Sequence, residues 1–199
     1  MSARPSAARA RSCSRSLRKP EYRAISREKA VRAIVLRELE GHVDSAYVDN
    51  IGNIIAVKHG KGSPDSKKIM LSAHMDEIGL QVKKIESDGR IKVCSVGWVW
   101  TSALYNDQVV FQNGVIGVVG CDGKIEDAKN DSGKLYIDIG CTSKEDTEKY
   151  VKVGDYAGFV GPWYELQNGR ISAKTFDDRV GCYMQMQALM DAVDKILEV

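Results

Sequence analysis

The chain is poor in the features that would settle its class at a glance. No apolar run approaches the ~20 residues of a membrane-spanning helix, and the N-terminus carries no apolar core of the kind a secretory signal needs. Neither a spanning nor a secreted protein is expected. Cysteine is sparse and scattered: Cys13, Cys94, Cys121, Cys141 and Cys182 form no C-x-x-C pair. An odd set of this kind argues against a disulfide framework or a zinc knuckle and fits a reducing cytoplasm. Histidine is scarcer still, with His42, His59 and His74 alone. Acid is absent from the first 20 residues, which hold Arg4, Arg9, Arg11, Arg15, Arg18 and Lys19, leaving 23 basic against 27 acidic residues in the remainder. The formal charge of +2 is therefore a property of the tail, and the body gives no argument for nucleic-acid binding.

What is present is ordinary for a globular chain: 199 residues, 43% hydrophobic and 28% charged, enough for one domain or two small ones. The Ser-, Ala- and Arg-rich residues 1–25 cannot close a core and read as a basic disordered tail. They also match a transit peptide, but upstream sequence translated from a wrong start or shifted frame is the preferred explanation. From Ser26, a candidate cap, Val31, Ile34, Val35 and Leu39 repeat at helical spacing and Gly41 follows. Two short strands come next, His42–Asp49 and Asn53–Lys58, joined by a turn at Asn50-Ile51-Gly52. Ile69–Ser72 is a nearly continuous apolar run, expected to be a strand buried on both faces.

That run leads into Ala73-His74-Met75-Asp76-Glu77, the first chemically pointed stretch. In extended backbone residues i and i+2 share a face, so His74 and Asp76 can enter one pocket while Glu77 points the other way. A metal-bound imidazole needs an acceptor on its second nitrogen, and a carboxylate two residues away can supply one. The plain alternative is a hydrogen-bonded, inert histidine.

For about ninety residues the pattern then becomes short strands with turn signals between them. The clearest are Leu80–Ile85, Arg90–Cys94, Gln108–Gln112, Val115–Val119, Leu135–Ile139 and Tyr156–Phe159, with hairpin turns at Ser87-Asp88-Gly89 and Asn113-Gly114. One short helix, Lys144–Val151, is capped by Thr142 or Ser143. This stretch reads as a small β-barrel or sandwich inserted into an α/β domain. Trp98 and Trp100 are expected as core or interface anchors within it rather than as a ligand-stacking pair. A strand, Ile171–Phe176, then runs into Asp177-Asp178-Arg179, and a helix is expected from Val180 to the end, with Tyr183, Met186, Leu189, Met190, Val193 and Leu197 on one face. Adjacent carboxylates at such a junction suit a cation; alternatively Asp178 caps the helix and Asp177 pairs with Arg179.

Taken together, AHMDEIG, a β-rich insert and GRISAKTFDDRVGC, with VDNIGNIIA, LYIDIG and VKVGDYAGF, resemble the co-catalytic metallo-aminopeptidases of the glutamyl aminopeptidase and tetrahedral (TET) type, some of which carry an endoglucanase label. The likeness runs over about residues 30–199. It implies a partial zinc-peptidase-like α/β domain, residues 26–77 and 166–199, interrupted by a PDZ-like β-barrel for assembly at residues 78–165. It implies His74 as ligand to one metal, Asp76 as the catalytic carboxylate that orients it, and Asp177, or less favourably Asp178, as the bridge between two divalent ions, zinc or cobalt. The family's Glu-Glu pair, a further Asp and a final His would lie beyond Val199, so a truncated, inactive chain is expected. The implied activity is removal of N-terminal residues from peptides, and the implied partners are peptide substrates and further copies, from dimer to dodecamer, without nucleic acid or membrane. His42 and His59 read as solvated surface residues. A non-catalytic assembly or regulatory module is one alternative. A glycosidase using Asp76 and Asp177 is another, since that chemistry needs two carboxylates about 5 to 9.5 Å apart.

Overall fold

Two apolar periodicities, one near 3.6 and one near two, build two separate units in the computed structural model, which describes residues 28–60, 62, 63, 65, 67–129 and 131–191. One unit runs through Asp76 and resumes at Thr175; the other is Glu77–Lys174.

In the first unit helix α1, Lys29–Leu39, buries Val31, Ile34, Val35 and Leu39, the set its spacing singled out. Its N-cap is Glu28, which makes no side-chain capping bond, and Ser26 lies outside the described residues. Strands β1, Ser45–Val48, and β2, Ile54–Val57, pair antiparallel as a hairpin. The Asp49 carboxylate organises the turn by accepting from the Ile51 and Asn53 amides and the Asn53 side chain. The core of this unit gathers Val31, Val35, Leu39 and Met186, with Ile54, Ala56, Met75 and Leu189 packed around them.

The apolar run at 69–72 departs from expectation. No strand forms there, and Ile69 and Met70 are 86% and 87% exposed. A strand is stable only where neighbours take up its backbone N–H and C=O groups. Among the described residues β1 and β2 pair only with each other, and nothing pairs with this segment. Apolar composition specified the strand's interior but supplied no partner.

The second unit is a closed six-stranded barrel. Its strands are β3 (Gly79–Ile85), β4 (Ile91–Val96), β5 (Gln108–Phe111), β6 (Ile116–Cys121), β7 (Leu135–Asp138) and β8 (Tyr156–Phe159), in the order β3-β4-β7-β6-β5-β8. All the pairings are antiparallel. Alternate side chains point inward, so Leu80, Val82, Ile91, Val93, Val109, Val119, Leu135 and Ile137 form the interior. Closure leaves no free edge in these strands, which is how a small barrel avoids templating aggregation. At the β3–β4 turn Gly89 has φ +91°, and a Cβ there would stand 2.4 Å from the Cys141 carbonyl oxygen. Only glycine fits both demands. Helix α2, Lys144–Thr147, is capped by Ser143, and its buried Thr147 donates to the Gly89 carbonyl at 2.8 Å.

Trp98 and Trp100 are not core residues: they are 82% and 68% exposed, whereas Val99 between them is buried. The chain bends at residues 97–98 just after β4, and Val99 is buried between the two outward indoles.

Strands β9, Tyr164–Glu165, and β10, Ile171–Ser172, form a small separate ladder. The expected strand to Phe176 ends at Ser172, and Thr175, at φ +66°, is in a conformation extended pairing cannot use. In the first unit helix α3, Phe176–Asp191, packs on α1; residues 192–199, and with them Val193 and Leu197, lie outside the described residues. Among the described residues no helix is long and apolar enough to cross a membrane.

Candidate metal centre

The exposed extended segment and the start of α3 bring three predicted residues together. His74 Nδ1 lies 2.8 Å from Asp76 Oδ1, and His74 Nε2 lies 2.9 Å from Asp177 Oδ1, a contact spanning 103 residues of sequence. The i, i+2 relation delivers Asp76 to the ring and turns Glu77 away, where it is buried. The three side chains are open to solvent, Asp177 at 96% most of all.

The junction residues divide the two aspartates. Asp177 and Asp178, joined by a cis peptide, both lie outside helical φ/ψ, so the regular turns of α3 begin at Arg179. Asp178 is then the N-cap: its Oδ1 accepts the Gly181 N–H at 3.2 Å, the third residue of the helix. Its carboxylate is committed to the helix end. Asp177 faces His74 instead.

The backbone that carries His74 is tied to the same helix. Buried Arg179 donates from Nε to the Met75 carbonyl at 2.9 Å and from Nη1 to Thr175 Oγ1 at 3.4 Å. Cys182 donates from Sγ to the His74 carbonyl at 3.3 Å. Burial, and then the charge of Asp178, push the Cys182 thiol pKa up, which keeps it a neutral donor. Sequence reading missed both residues: Arg179 was weighed as a partner of Asp177, and Cys182 stood among scattered thiols. The available signal was an arginine one residue into a helix whose apolar face has to be buried.

Electrostatics favour cation binding at this ring. Partial desolvation disfavours the imidazolium, but hydrogen bonds to Asp177 and then Asp76 outweigh it, so the His74 pKa is raised. Each ring nitrogen lies within hydrogen-bond distance of a carboxylate oxygen. His74 Nε2 and the Asp177 carboxylate would hold a divalent cation, with Asp76 orienting the ring through Nδ1, as ligating histidines require. A nitrogen and carboxylate oxygens suit zinc or cobalt. The donor types of His74 and Asp177 fit such an ion, as two of the ligands it needs. Among the described residues, no group of three or more His, Cys, Asp and Glu is placed to hold it. His42 is half-buried and His59 exposed, on the hairpin side of the same unit.

A protein of Acetivibrio thermocellus, provisionally named an aminopeptidase, is 42% identical over 165 residues, which are 82% of this chain and 48% of that protein. The lysyl aminopeptidase of Pyrococcus furiosus is 31% identical over 79% of this chain and 48% of its own. Among solved structures, one called an endoglucanase from Thermotoga maritima superposes with TM-score 0.75 at 37% identity, covering 93% of this chain and 56% of that one. The TET1 peptidase of Pyrococcus horikoshii, described as assembling into a tetrahedron or a large octahedral shell, gives TM-score 0.74 at 32% identity, over 95% and 58%. The chain spans about half the length of the curated relatives it matches. The family model described as M42 glutamyl aminopeptidase matches residues 52–199, a span that includes both the His74 and the Asp177 stretches, and the chain belongs to that family.

Proposed function

We propose that this chain contributes His74 and Asp177 to the two-metal centre of an aminopeptidase that removes N-terminal residues from peptides. The observation that carries the reading is the 2.9 Å approach of His74 Nε2 to Asp177 Oδ1, with Asp76 on the other ring nitrogen. When bound, a pair of zinc or cobalt ions supplies a polarised scissile carbonyl and an activated water. The chain's own part is to place donors. His74 gives a nitrogen, Asp76 fixes the ring and its tautomer, and Asp177 offers a carboxylate able to bridge. Asp178 and Arg179 hold the helix end and the Met75 backbone around them.

Two side chains do not complete such a centre, and catalysis needs a general base as well. The chain on its own is therefore expected to bind metal and not to turn over. An assay with an aminoacyl p-nitroanilide and added cobalt or zinc tests this; turnover comparable to that of a full-length relative would refute it. The name of the Thermotoga maritima neighbour gives glucan hydrolysis as the second reading. Here Asp76 and Asp177 bond one imidazole, which favours metal binding, and chelator-insensitive cleavage of a glucan would reverse that preference.

We read the surrounding fold as a zinc-peptidase-like α/β part, residues 26–77 and 166–199, with residues 78–165 as an inserted PDZ-like barrel that serves self-assembly. Outward-facing Trp98 and Trp100 support the assembly role, as does the assembling TET1 neighbour. Four thiols without disulfide partners, Cys94, Cys121, Cys141 and Cys182, support a reducing cytoplasm.

A further inference from the structure

Glu77 and Lys174 are the first and last residues of the barrel unit, where the chain enters it and leaves it. Glu77 follows Asp76 directly and lies three residues after His74; Lys174 lies three residues before Asp177. Across 97 residues of sequence, Lys174 Nζ donates to Glu77 Oε2 at 2.6 Å. The Glu77 side chain is 4% exposed and that of Lys174 is 22%. For stability alone, an apolar pair of similar volume serves as well or better. A short charge-assisted bond does what apolar packing cannot: it fixes one backbone crossing against the other at a single separation.

The fold also makes room for the lysine. A Cβ on Gly161 would stand 2.6 Å from Lys174 Cβ and 2.8 Å from its Cγ. The lysine stem lies across a position that has no side chain, and this directs its amine at Glu77. Any larger residue at 161 displaces the root of the lysine rather than its flexible tip.

We propose that the Glu77–Lys174 ion pair is a positioning device that clamps the two chain crossings and so keeps His74 and Asp76 in register with Asp177. The inference rests on the reading of His74 and Asp177 as metal ligands, and its test separates the two. The variants are Glu77→Gln, Lys174→Met, the double Glu77→Leu/Lys174→Met, and Gly161→Ala, which displaces the lysine while both charges stay. Amide hydrogen exchange is measured on metal-free protein, and cobalt(II) affinity by visible absorbance.

The expected result is exchange about tenfold faster at residues 74–78 and 174–178 in every variant, while β6 and β7 keep their protection. Cobalt affinity falls about tenfold or more. In the double variant the melting temperature returns toward wild type, since no buried charge is left unpaired, but cobalt affinity does not. A merely structural pair would recover both together. Unchanged exchange at the two crossings in the single variants would overturn the proposal, as would a double variant that binds cobalt as tightly as wild type. Wild-type protein that takes up no cobalt, while its crossings still loosen in the variants, would sink the metal-ligand reading and leave the clamp standing.

Discussion

His74 can act as a ligand only if its ring is held, and at the scale of single residues two contacts hold it. Asp76 fixes the ring through Nδ1 at 2.8 Å, and Arg179 fixes the adjoining backbone through the Met75 carbonyl. Replacing Asp76 with Ala should lower cobalt affinity about 10- to 100-fold by equilibrium dialysis, with little change in melting temperature, because the side chain is 61% exposed. Arg179→Met should do the reverse in emphasis. It removes the donor to the part-buried Met75 carbonyl, at a cost of about 1–3 kcal/mol by thermal denaturation. The pairing of His74 with Asp76 was legible in the sequence because it is local and follows from the two-residue repeat of extended backbone. The roles of Arg179 and Cys182 were not. Both depend on which face of α3 meets a segment more than a hundred residues earlier, and no local pattern encodes that. The preference for Asp177 over Asp178 came from the family resemblance; that the helical turns begin only after Asp178 is seen in φ and ψ alone.

At the scale of elements, local rules worked wherever both ends of an interaction lie close in sequence. The barrel strands and their glycine turns were readable because each hairpin carries its own alternation and its own turn residues. The β1–β2 hairpin is of the same kind, and its turn depends on Asp49. The Asn53 side chain, then its amide, hold the Asp49 carboxylate below its ordinary value. A depressed carboxylate pKa contributes stability that is present above the unfolded value and is lost as pH falls through the folded one. Acid titration followed by amide NMR should therefore show Ile51 and Asn53 shifting together, at a lower pH than an ordinary aspartate titrates. A titration of these amides near neutrality would contradict the assignment of the turn to Asp49. The run at 69–72 failed as a strand for the opposite reason. Its partners would have to come from distant sequence, and periodicity is silent about them.

At the scale of the whole molecule, the sequence carried a candidate ligand on each side of a β-rich stretch, His74 and Asp177, and folding brings their side chains into contact. It did not reveal that both tryptophans face outward, with Val99 buried between them. If the barrel serves self-assembly through this surface, Trp98→Ser with Trp100→Ser should lower the mass seen by light scattering toward that of a monomer while leaving the β-rich circular dichroism intact. An unchanged mass would remove these residues from the interface. Assembly that persists in His74→Ala, with no metal retained by the wild type, would favour a non-catalytic module over a peptidase part.

The central claim is that folding joins His74 and Asp177 into a cation site. Titration of purified protein with cobalt(II), followed by its visible absorption, tests it most directly. The account predicts saturable binding by the wild-type chain that is abolished in both His74→Ala and Asp177→Ala. Equal cobalt binding in wild type and both variants, or none in the wild type, would contradict it.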